Sequence, residues 1–303
     1  MERWEAINAV QRMQDYIDEH ITEPITMSDL AKAAGYSQWH SARLFKELTH
    51  KSPFDYLRSL RLSQAALVLR DEKSKVIDVA FDFVFASHEG FSRAFSKQFG
   101  ISPKKYSHHP PPIQLFIPYG TRAYHLTFSK GAMVMSKREN PNTVFVQVIE
   151  RPARKVILKR GIKAADYFEY CEEVGCEVWG MLSSIKEAMY EPIGMWLPKS
   201  LINKGTSTYV QGVEVPMDYD GSIPEGFDII QLPPFKMMVF QGEPFDDEEF
   251  MEAIGDIWGV MKEFNPETYG FQWADEEAPR FQLAPMGYRG YIEARPVKQI
   301  NVG

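Results

Sequence analysis

The sequence predicts two domains: an all-α domain with two pairs of short helices, and an α+β domain in which a strand-helix-strand-strand unit occurs twice. Three observations predict this division: a repeat in the first half, another in the second half, and a break in composition between them. Repeats of this length indicate duplicated supersecondary units. In a chain of 303 residues, we therefore expect domains at 1–107 and 143–303 and a Pro-rich linker at 108–142.

The first repeat contains two copies of a helix, a tight turn and a second helix. Residues 29–36 (DLAKAAGY) correspond to residues 78–85 (DVAFDFVF), 49 positions later, and beyond them Arg43 corresponds to Arg93 at an offset of 50. The second turn is therefore expected to be one residue longer. A long helical stretch from Phe54 to Arg70 separates the copies.

Helix-start signals fit these elements. Thr26 and Asp29 form a capping-box pattern, in which the side chain of each residue accepts a hydrogen bond from the backbone of the other. Residues 52–53 and 102–103 are both Ser-Pro, which combines a capping hydroxyl with a proline at the first helical position. Each pattern predicts the first residue of a helix.

The break in composition is the sequence HHPPP at 108–112. Three consecutive prolines neither continue a helix nor join a central strand, so this segment is predicted to be a stiff linker. Residues 113–142 are ambiguous, because Gln114–Pro118 and Ala123–Phe128 resemble extended segments. We interpret them as an ordered part of the linker.

The second repeat covers the rest of the chain. KVILKRG at 155–161 corresponds to KMMVFQG at 236–242, and EVWGM at 177–181 corresponds to DIWGV at 256–260. Each copy is typical of a strand, an amphipathic helix and two further strands. Two such copies predict a pseudo-twofold α+β domain with a groove where they meet, and grooves at such junctions often bind small molecules.

Charge and cysteine content narrow the function classes. The net charge of the chain is −7, but residues 1–109 carry a net charge of +1 and the remaining residues carry −8. Only the first half is therefore expected to bind nucleic acid. No run approaches the roughly 18 apolar residues of a membrane helix. Cys171 and Cys176, the only cysteines, lie in one helical pattern, which disfavours a disulfide framework and a cysteine metal site. We expect a cytoplasmic protein without a cofactor, a metal ion or a membrane partner.

The second helix of the first copy, at 37–48, has two distinct faces. Leu44, Phe45 and Leu48 recur at helical spacing and are expected to face the core. The opposite stripe consists of Trp39, Ala42, Arg43 and Lys46. Arginine suits guanine O6 and N7, a small residue permits close approach and lysine suits phosphate, so this stripe predicts a DNA-reading surface.

The corresponding helix of the second copy, at 87–99, presents a similar stripe. It consists of His88, Glu89, Ser92 and Arg93 above the core residues Phe91, Phe95 and Phe99. The alternative interpretation is that both stripes are ordinary solvated helix faces. Two copies with arginine at the same repeat position, each preceded by a helix and a turn, favour paired helix-turn-helix units that read DNA.

Residues 8–106 resemble the DNA-binding domain of the AraC/XylS family of bacterial transcription regulators. The resemblance is carried by DLA at 29–31 with GYS at 35–37, and by FSRAF at 91–95 with FGISP at 99–103 and Tyr106. It implies a seven-helix domain that binds double-stranded promoter DNA as a monomer, in successive major grooves about one helical turn apart. Position by position, it implies base or backbone contacts for Trp39, Ala42, Arg43, Lys46, His88, Glu89, Gly90, Ser92 and Arg93.

The sequence departs from this family's pattern in the second copy. Val84 stands where the family usually has glycine, and a β-branched residue is poorly suited to positive φ, so we expect that turn to be reshaped. Gly90, in the first turn of the following helix, lowers helix stability by about 1 kcal/mol.

From about Thr143 onward the chain resembles the GyrI-like effector-binding domain. The resemblance rests on the repeat, on YVQGVE at 209–214 and on YRGYIEARP at 288–296. A GyrI-like domain after an AraC-type domain is the order found in Rob-like regulators. Multidrug-sensing pockets of that superfamily pair a buried carboxylate with aromatic rings, and Glu293 best matches this acid. The ligand-site residues are expected to be Glu293, Tyr291, Trp196, Glu214 and Tyr209.

A carboxylate among aromatic rings suits a lipophilic cation, because ring faces attract its charge and the carboxylate compensates it. Strand alternation places Tyr291, Glu293 and Arg295 on one face, and we expect the other, apolar face to pack under the helices. At an offset of 79, Glu214 corresponds to Glu293, so Glu214 is expected to hold the equivalent place in the first copy.

Several of these side chains also have simpler interpretations. Trp179 and Trp258 lie mid-helix and are predicted to pack in the core, while Arg295 is a candidate surface partner of Glu293. Tyr209 and Tyr288 are alternatively strand-end packing residues. The acidic run at 246–249 is interpreted as a favourable charge cluster at a helix start, not a metal site.

These patterns predict a one-component transcription regulator that is not an enzyme. The first half would bind DNA, and the second would sense a small, lipophilic or cationic effector that alters promoter occupancy or contact with RNA polymerase. Two alternatives stay open: the second half hydrolyses an electrophilic small molecule, or it serves as a protein-interaction module.

Overall fold

The computed structural model describes residues 3–129 and 143–300. The chain divides into two compact units, Met1–Ser129 and Lys130–Gly303. The described part of the first unit is helical, and that of the second is built on one antiparallel sheet. The prediction of a helical domain followed by an α+β domain is confirmed at this level.

The predicted helix starts in the first unit are confirmed. Its helices are α1 (Arg3–Glu19), α2 (Met27–Ala34), α3 (Gln38–Thr49), α4 (Pro53–Asp71), α5 (Val76–Asp82), α6 (His88–Phe99), α7 (Pro103–His108) and α8 (Thr121–Ser129). Thr26 and Asp29 form a capping box, and their hydrogen bonds hold the pKa of the Asp29 carboxyl below its ordinary value. The Ser52 and Ser102 side chains each accept a backbone N–H in helices that open with proline.

Helix α4 connects two hydrophobic clusters. Its first half, including Tyr56 and Leu60, packs in a cluster with Phe45 of α3. Its second half, including Leu69, packs in another cluster with Phe91 of α6. Each helix pair α2–α3 and α5–α6 therefore has its own core, and one long helix holds both.

The turn before α6 is not reshaped, so that expectation is wrong. Val84 has φ 62, in the same left-handed region as Gly35 with φ 76 at the corresponding position before α3. The Tyr36 N–H donates to the Ala31 carbonyl at 3.1 Å, and the equivalent Phe85 N–H donates to the Ala80 carbonyl at 2.9 Å. The second copy thus keeps the turn geometry with valine in a strained conformation.

The predicted linker differs from the structure. The first unit continues to Ser129, and Ile113, Leu115 and Leu126 are buried in it. Residues 121–129 form α8, so the expected extended character of Ala123–Phe128 is wrong. The physical reason is that apolar side chains follow the prolines and bury against the helices. The part of the predicted linker at 130–142 lies outside the described residues.

The second unit contains nine described strands in one antiparallel sheet. They are β1 (Phe145–Arg151), β2 (Arg154–Arg160), β3 (Ile193–Trp196), β4 (Tyr209–Pro216), β5 (Asp228–Leu232), β6 (Phe235–Gln241), β7 (Phe271–Trp273), β8 (Arg280–Leu283) and β9 (Ile292–Gln299). The order is β1-β6-β9-β8-β3-β4-β2-β5, with β7 beside β9. Helices α9 (Tyr167–Val174) and α10 (Val178–Ser183) follow β2, and α11 (Phe250–Glu263) follows β6.

The two faces of this sheet bury different side chains. One face holds a cluster of strand residues such as Val156, Met195 and Ala294. The other face carries the helices: α9 and α10 pack in a cluster with Tyr209, and α11 packs in a cluster with Tyr291. The central pairing of β3 with β8 brings the strands of these two helix-covered regions side by side.

Candidate functional site

Helix α3 presents the predicted stripe to solvent. Trp39, Arg43 and Lys46 are exposed and Ala42 is half-buried, while Phe45 on the opposite side is fully buried. Ser37 fixes the start of the helix by accepting the His40 N–H. The stripe is therefore held on a rigid element whose other side is locked in the core.

Arg43 is placed by weak contacts. Its Nε donates to Glu47 Oε1 at 2.8 Å, and its guanidinium lies 5.9 Å from the centroid of the Trp39 ring. Both members of the Arg43–Glu47 pair are more than half exposed, at 58% and 52%. Exposed pairs contribute little, at most about 1 kcal/mol, so the guanidinium is free to exchange Glu47 for another partner.

Helix α6 presents the second stripe. Glu89 and Arg93 are exposed, and His88, Gly90 and Ser92 are half-buried above Phe91 and Phe95. Gly90 has a local role, because its N–H donates to the capping Ser87 Oγ at 3.1 Å and an added Cβ would lie 3.1 Å from the same oxygen. The glycine lowers helix propensity but leaves room for the cap.

The second unit contains a cavity of about 640 Å³ on the helix-bearing face of the sheet. It is lined by Trp196, Leu197, Trp258, Met261, Lys262, Asp275, Arg280, Glu293 and Arg295. A narrower cavity shares Trp196 and Trp258 with it and reaches Tyr167 of α9 and Tyr291. Both cavities thus lie over the central strands, and the narrower one lies between α9 and α11.

Glu293 is completely buried, and polar side chains from three parts of the chain surround its carboxylate. Its Oε2 accepts from Trp258 Nε1 at 2.8 Å and lies 2.9 Å from the Tyr291 hydroxyl. Its Oε1 forms an ion pair with Arg280 of β8. Burial raises the pKa of the Tyr291 hydroxyl well above its ordinary value, so this neighbour stays a neutral hydrogen-bonding group.

A buried hydrogen-bond network continues from Glu293 across the sheet. Gln282 pairs with Glu293 in register, accepts from the Tyr291 hydroxyl at 2.9 Å and donates to the Tyr209 hydroxyl at 3.0 Å. Trp196 packs edge-on against Tyr209 and donates its Nε1–H to the Ala165 carbonyl at 2.9 Å. These contacts therefore connect Glu293 with Trp196, an aromatic side chain that lines the cavity.

Four of the five predicted ligand-site residues come together in this region. Trp196 and Glu293 line the larger cavity, and Tyr291 lines the narrower one. The Tyr209 hydroxyl accepts a hydrogen bond from Gln282, which also contacts Tyr291. The expectation that the apolar face packs under the helices is wrong. Tyr291 packs against α11, whereas Ala294 belongs to the cluster on the opposite face.

Glu214 does not join the site, which corrects its predicted place. It is buried with Arg154, and its Oε2 lies 3.5 Å from Arg151 Nη1. Strand pairing explains the error: Glu293 pairs with Phe240, the repeat counterpart of Lys159, and Lys159 pairs with Gln211. Gln211 is therefore the counterpart of Glu293, and Glu214 points to the other face of the sheet.

Two side chains that line the cavity, Trp258 and Arg280, were not predicted to do so. Trp258 was predicted to pack in the core. Of the other aromatic residues considered, Trp179 is half-buried and Tyr288 is 76% exposed. Arg280, not Arg295, pairs with Glu293. Arg295 instead binds Asp275 through two nitrogens, at 2.6 to 3.1 Å. No local sequence signal identifies Arg280, because its proximity to Glu293 depends on the register of β8 and β9.

The structure describes residues 3–129 and 143–300, and two features of these residues bear on membrane and metal binding. None of the helices there combines the length and the apolar character needed to cross a bilayer. The same residues hold no group of three or more His, Cys, Asp or Glu side chains that could bind a metal ion.

The first unit is similar to DNA-binding domains of known proteins. A family described as a helix-turn-helix domain matches residues 30–109. Regulatory protein SoxS of Escherichia coli (strain K12) is 39% identical over 99 residues, which cover 33% of this chain and 92% of SoxS. Right origin-binding protein of the same strain is 35% identical over 108 residues, covering 33% of this chain and 37% of that protein.

One solved structure, SAV2435 bound to tetraphenylphosphonium, aligns with 51% of this chain and 94% of its own chain. The identity is 15% and the TM-score is 0.36.

Proposed function

Because this chain belongs to the AraC/XylS family of DNA-binding transcription regulators, we propose that its two recognition stripes read a specific promoter sequence and that its second unit senses a small molecule. The similarity to SoxS, which covers nearly the whole length of SoxS, supports the proposed DNA reading. The cavity with the buried Glu293 supports the proposed sensing of a small molecule.

The DNA-reading surface consists of the α3 and α6 stripes. Arg43 and Lys46 on α3 and Arg93 on α6 are exposed, on helices whose opposite sides are buried. Arginine distinguishes guanine in the major groove, and lysine contributes sequence-independent attraction to phosphate. Two helix-turn-helix units in one chain suit a monomer on two successive major grooves.

The second unit fits a GyrI-like sensor domain with a small lipophilic effector. Trp196, Trp258 and Met261 provide apolar walls, and Glu293 with Arg280 provides the polar contacts. A cationic effector would have to take the place of Arg280 beside Glu293, because that carboxylate is already paired. Effector binding would then change promoter occupancy or contact with RNA polymerase. The curated relatives are regulatory proteins, which favours sensing over catalysis.

The DNA part is tested by selecting duplexes from a random pool with the intact chain. At one fixed salt concentration, Arg43→Ala is expected to reduce the ratio of specific to non-specific affinity by about 10- to 100-fold, because one arginine–guanine contact is lost. Arg58→Ala is the matched control, since Arg58 is an exposed arginine on α4 that belongs to neither stripe. An unchanged ratio in Arg43→Ala would show that the recognition stripe is wrongly assigned.

A further inference from the structure

The charged side chains of the larger cavity carry a positive excess. Lys262, Arg280 and Arg295 face two carboxylates, Asp275 and Glu293. Both carboxylates are already paired, Asp275 with Arg295 and Glu293 with Arg280. Lys262 is exposed and forms no ion pair within the described part of the chain. An entering ligand therefore meets a net positive wall.

Arg280 is the best-placed donor in that wall. Its guanidinium lies 4.2 Å from the centroid of the Trp196 ring, and its Nε faces Glu293. Its side chain is 32% exposed, and neither Nη atom has a hydrogen-bond partner among the described residues. Glu293 and Trp196 thus hold the guanidinium plane in place while its two terminal nitrogens stay available.

The alternative, a cationic ligand, meets an unfavourable exchange here. To reach Glu293 it must separate Arg280 from a fully buried carboxylate. The incoming cation would compensate Glu293, but Arg280 would lose its acidic partner, so the exchange gains one ion pair only by giving up another. An anionic group instead adds a charge-assisted contact to unused guanidinium donors and leaves the pair intact.

We propose that this cavity binds an aromatic small molecule with one acidic group, such as an arene carboxylate. The carboxylate accepts from the Nη atoms of Arg280, and the ring system lies against Trp196 and Trp258. This proposal rests on the proposed sensor function and specifies the effector class of the same site. Arg280, held between Glu293 and Trp196, is the residue that selects this class.

Isothermal titration calorimetry with three matched probes tests the proposal: naphthylacetate, naphthylacetamide and naphthylethylammonium. For the intact wild-type chain, we expect the carboxylate to bind at least about tenfold more tightly than the neutral amide, because a hydrogen bond to a charged group is strong. The ammonium is expected to bind most weakly of the three.

Two variants isolate the role of Arg280. Arg280→Gln is expected to remove the advantage of the carboxylate and to make the ammonium the preferred probe, because Glu293 is left without its partner. The double variant Arg280→Gln/Glu293→Gln has no uncompensated buried charge, so it keeps the test valid if the single variant does not fold. It is expected to bind all three probes with affinities within about threefold of one another.

Lys262→Gln is the matched control, because it removes one positive charge of the cavity without touching the pair of Arg280 with Glu293. We expect it to change the preference for the carboxylate by less than about threefold. If wild type prefers the ammonium or the amide, or if Arg280→Gln keeps the carboxylate advantage, the ligand class is wrong. If none of the three probes binds wild type, the ligand site of the proposed function is itself overturned.

Discussion

Val84 is a β-branched residue held at φ 62, where glycine normally occurs, and the corresponding Gly35 has φ 76. Strain of this kind costs about 1–3 kcal/mol per residue. The turn persists because Phe85 keeps its hydrogen bond to Ala80 and because Phe83 on one side and Phe91 on the other are buried. The second helix pair therefore retains its geometry at the expense of stability.

We predict that Val84→Gly raises the free energy of unfolding of the first unit by about 1 kcal/mol, since the strain relieved exceeds the entropy that glycine adds to the unfolded chain. Gly35→Val is the mirror variant and should lower it by a similar amount or more. Urea denaturation of both variants checks this. Equal midpoints for Val84→Gly and wild type would show that the valine is not strained.

The predicted ligand-site residues differ in how far the sequence alone could identify them. Glu293 and Tyr291 could be grouped because strand alternation and a short motif relate residues two apart. Arg280 and Trp258 reach the same carboxylate from β8 and α11, and only the register and packing of separate elements bring them there. Sequence spacing carries no information on such contacts.

At the scale of elements, the helical unit was the more predictable part. Caps such as Thr26 with Asp29 act within one turn, so the residues that begin a helix are visible locally. The sheet was less predictable, because two alignments of its repeat are plausible. They make either Glu214 or Gln211 the counterpart of Glu293. An offset of 79 selects Glu214, whereas the strand pairs give an offset of 82 and select Gln211. A loop-length difference between the copies is enough to shift the assignment to the other face.

The segment after the prolines provides a test at the same scale. Leu115 is only 2% exposed and packs in the cluster around α6, whereas the nearby Ile117 is 45% exposed. We predict that Leu115→Ala lowers the free energy of unfolding by about 2–4 kcal/mol, through lost burial and the cavity left behind.

The same truncation at Ile117 should change stability by less than about 0.5 kcal/mol, as expected for a surface site. Urea denaturation of the two variants distinguishes a packed segment from a linker. If Leu115→Ala were as harmless as Ile117→Ala, residues 113–117 would be a linker as the sequence first indicated.

Over the whole molecule, the two halves of the chain differ in net charge. The net charge of −7 combines a first half near neutrality with an acidic second half, so the overall value hides the basic stripe of α3. The second unit is acidic in total, yet its cavity has a positive excess. Net charge thus describes steering and solubility, while the side chains of each site determine what that site recognises.

We expect one chain to read DNA with two helices, α3 and α6, in successive major grooves. Footprinting of the intact chain on a selected duplex, with wild type, Arg43→Ala and Arg93→Ala compared, tests this mode of binding. We predict two protected segments about 10 base pairs apart, one losing its base preference in Arg43→Ala and the other in Arg93→Ala. A single protected segment, or the same segment affected by both variants, would show that α3 and α6 do not occupy successive grooves.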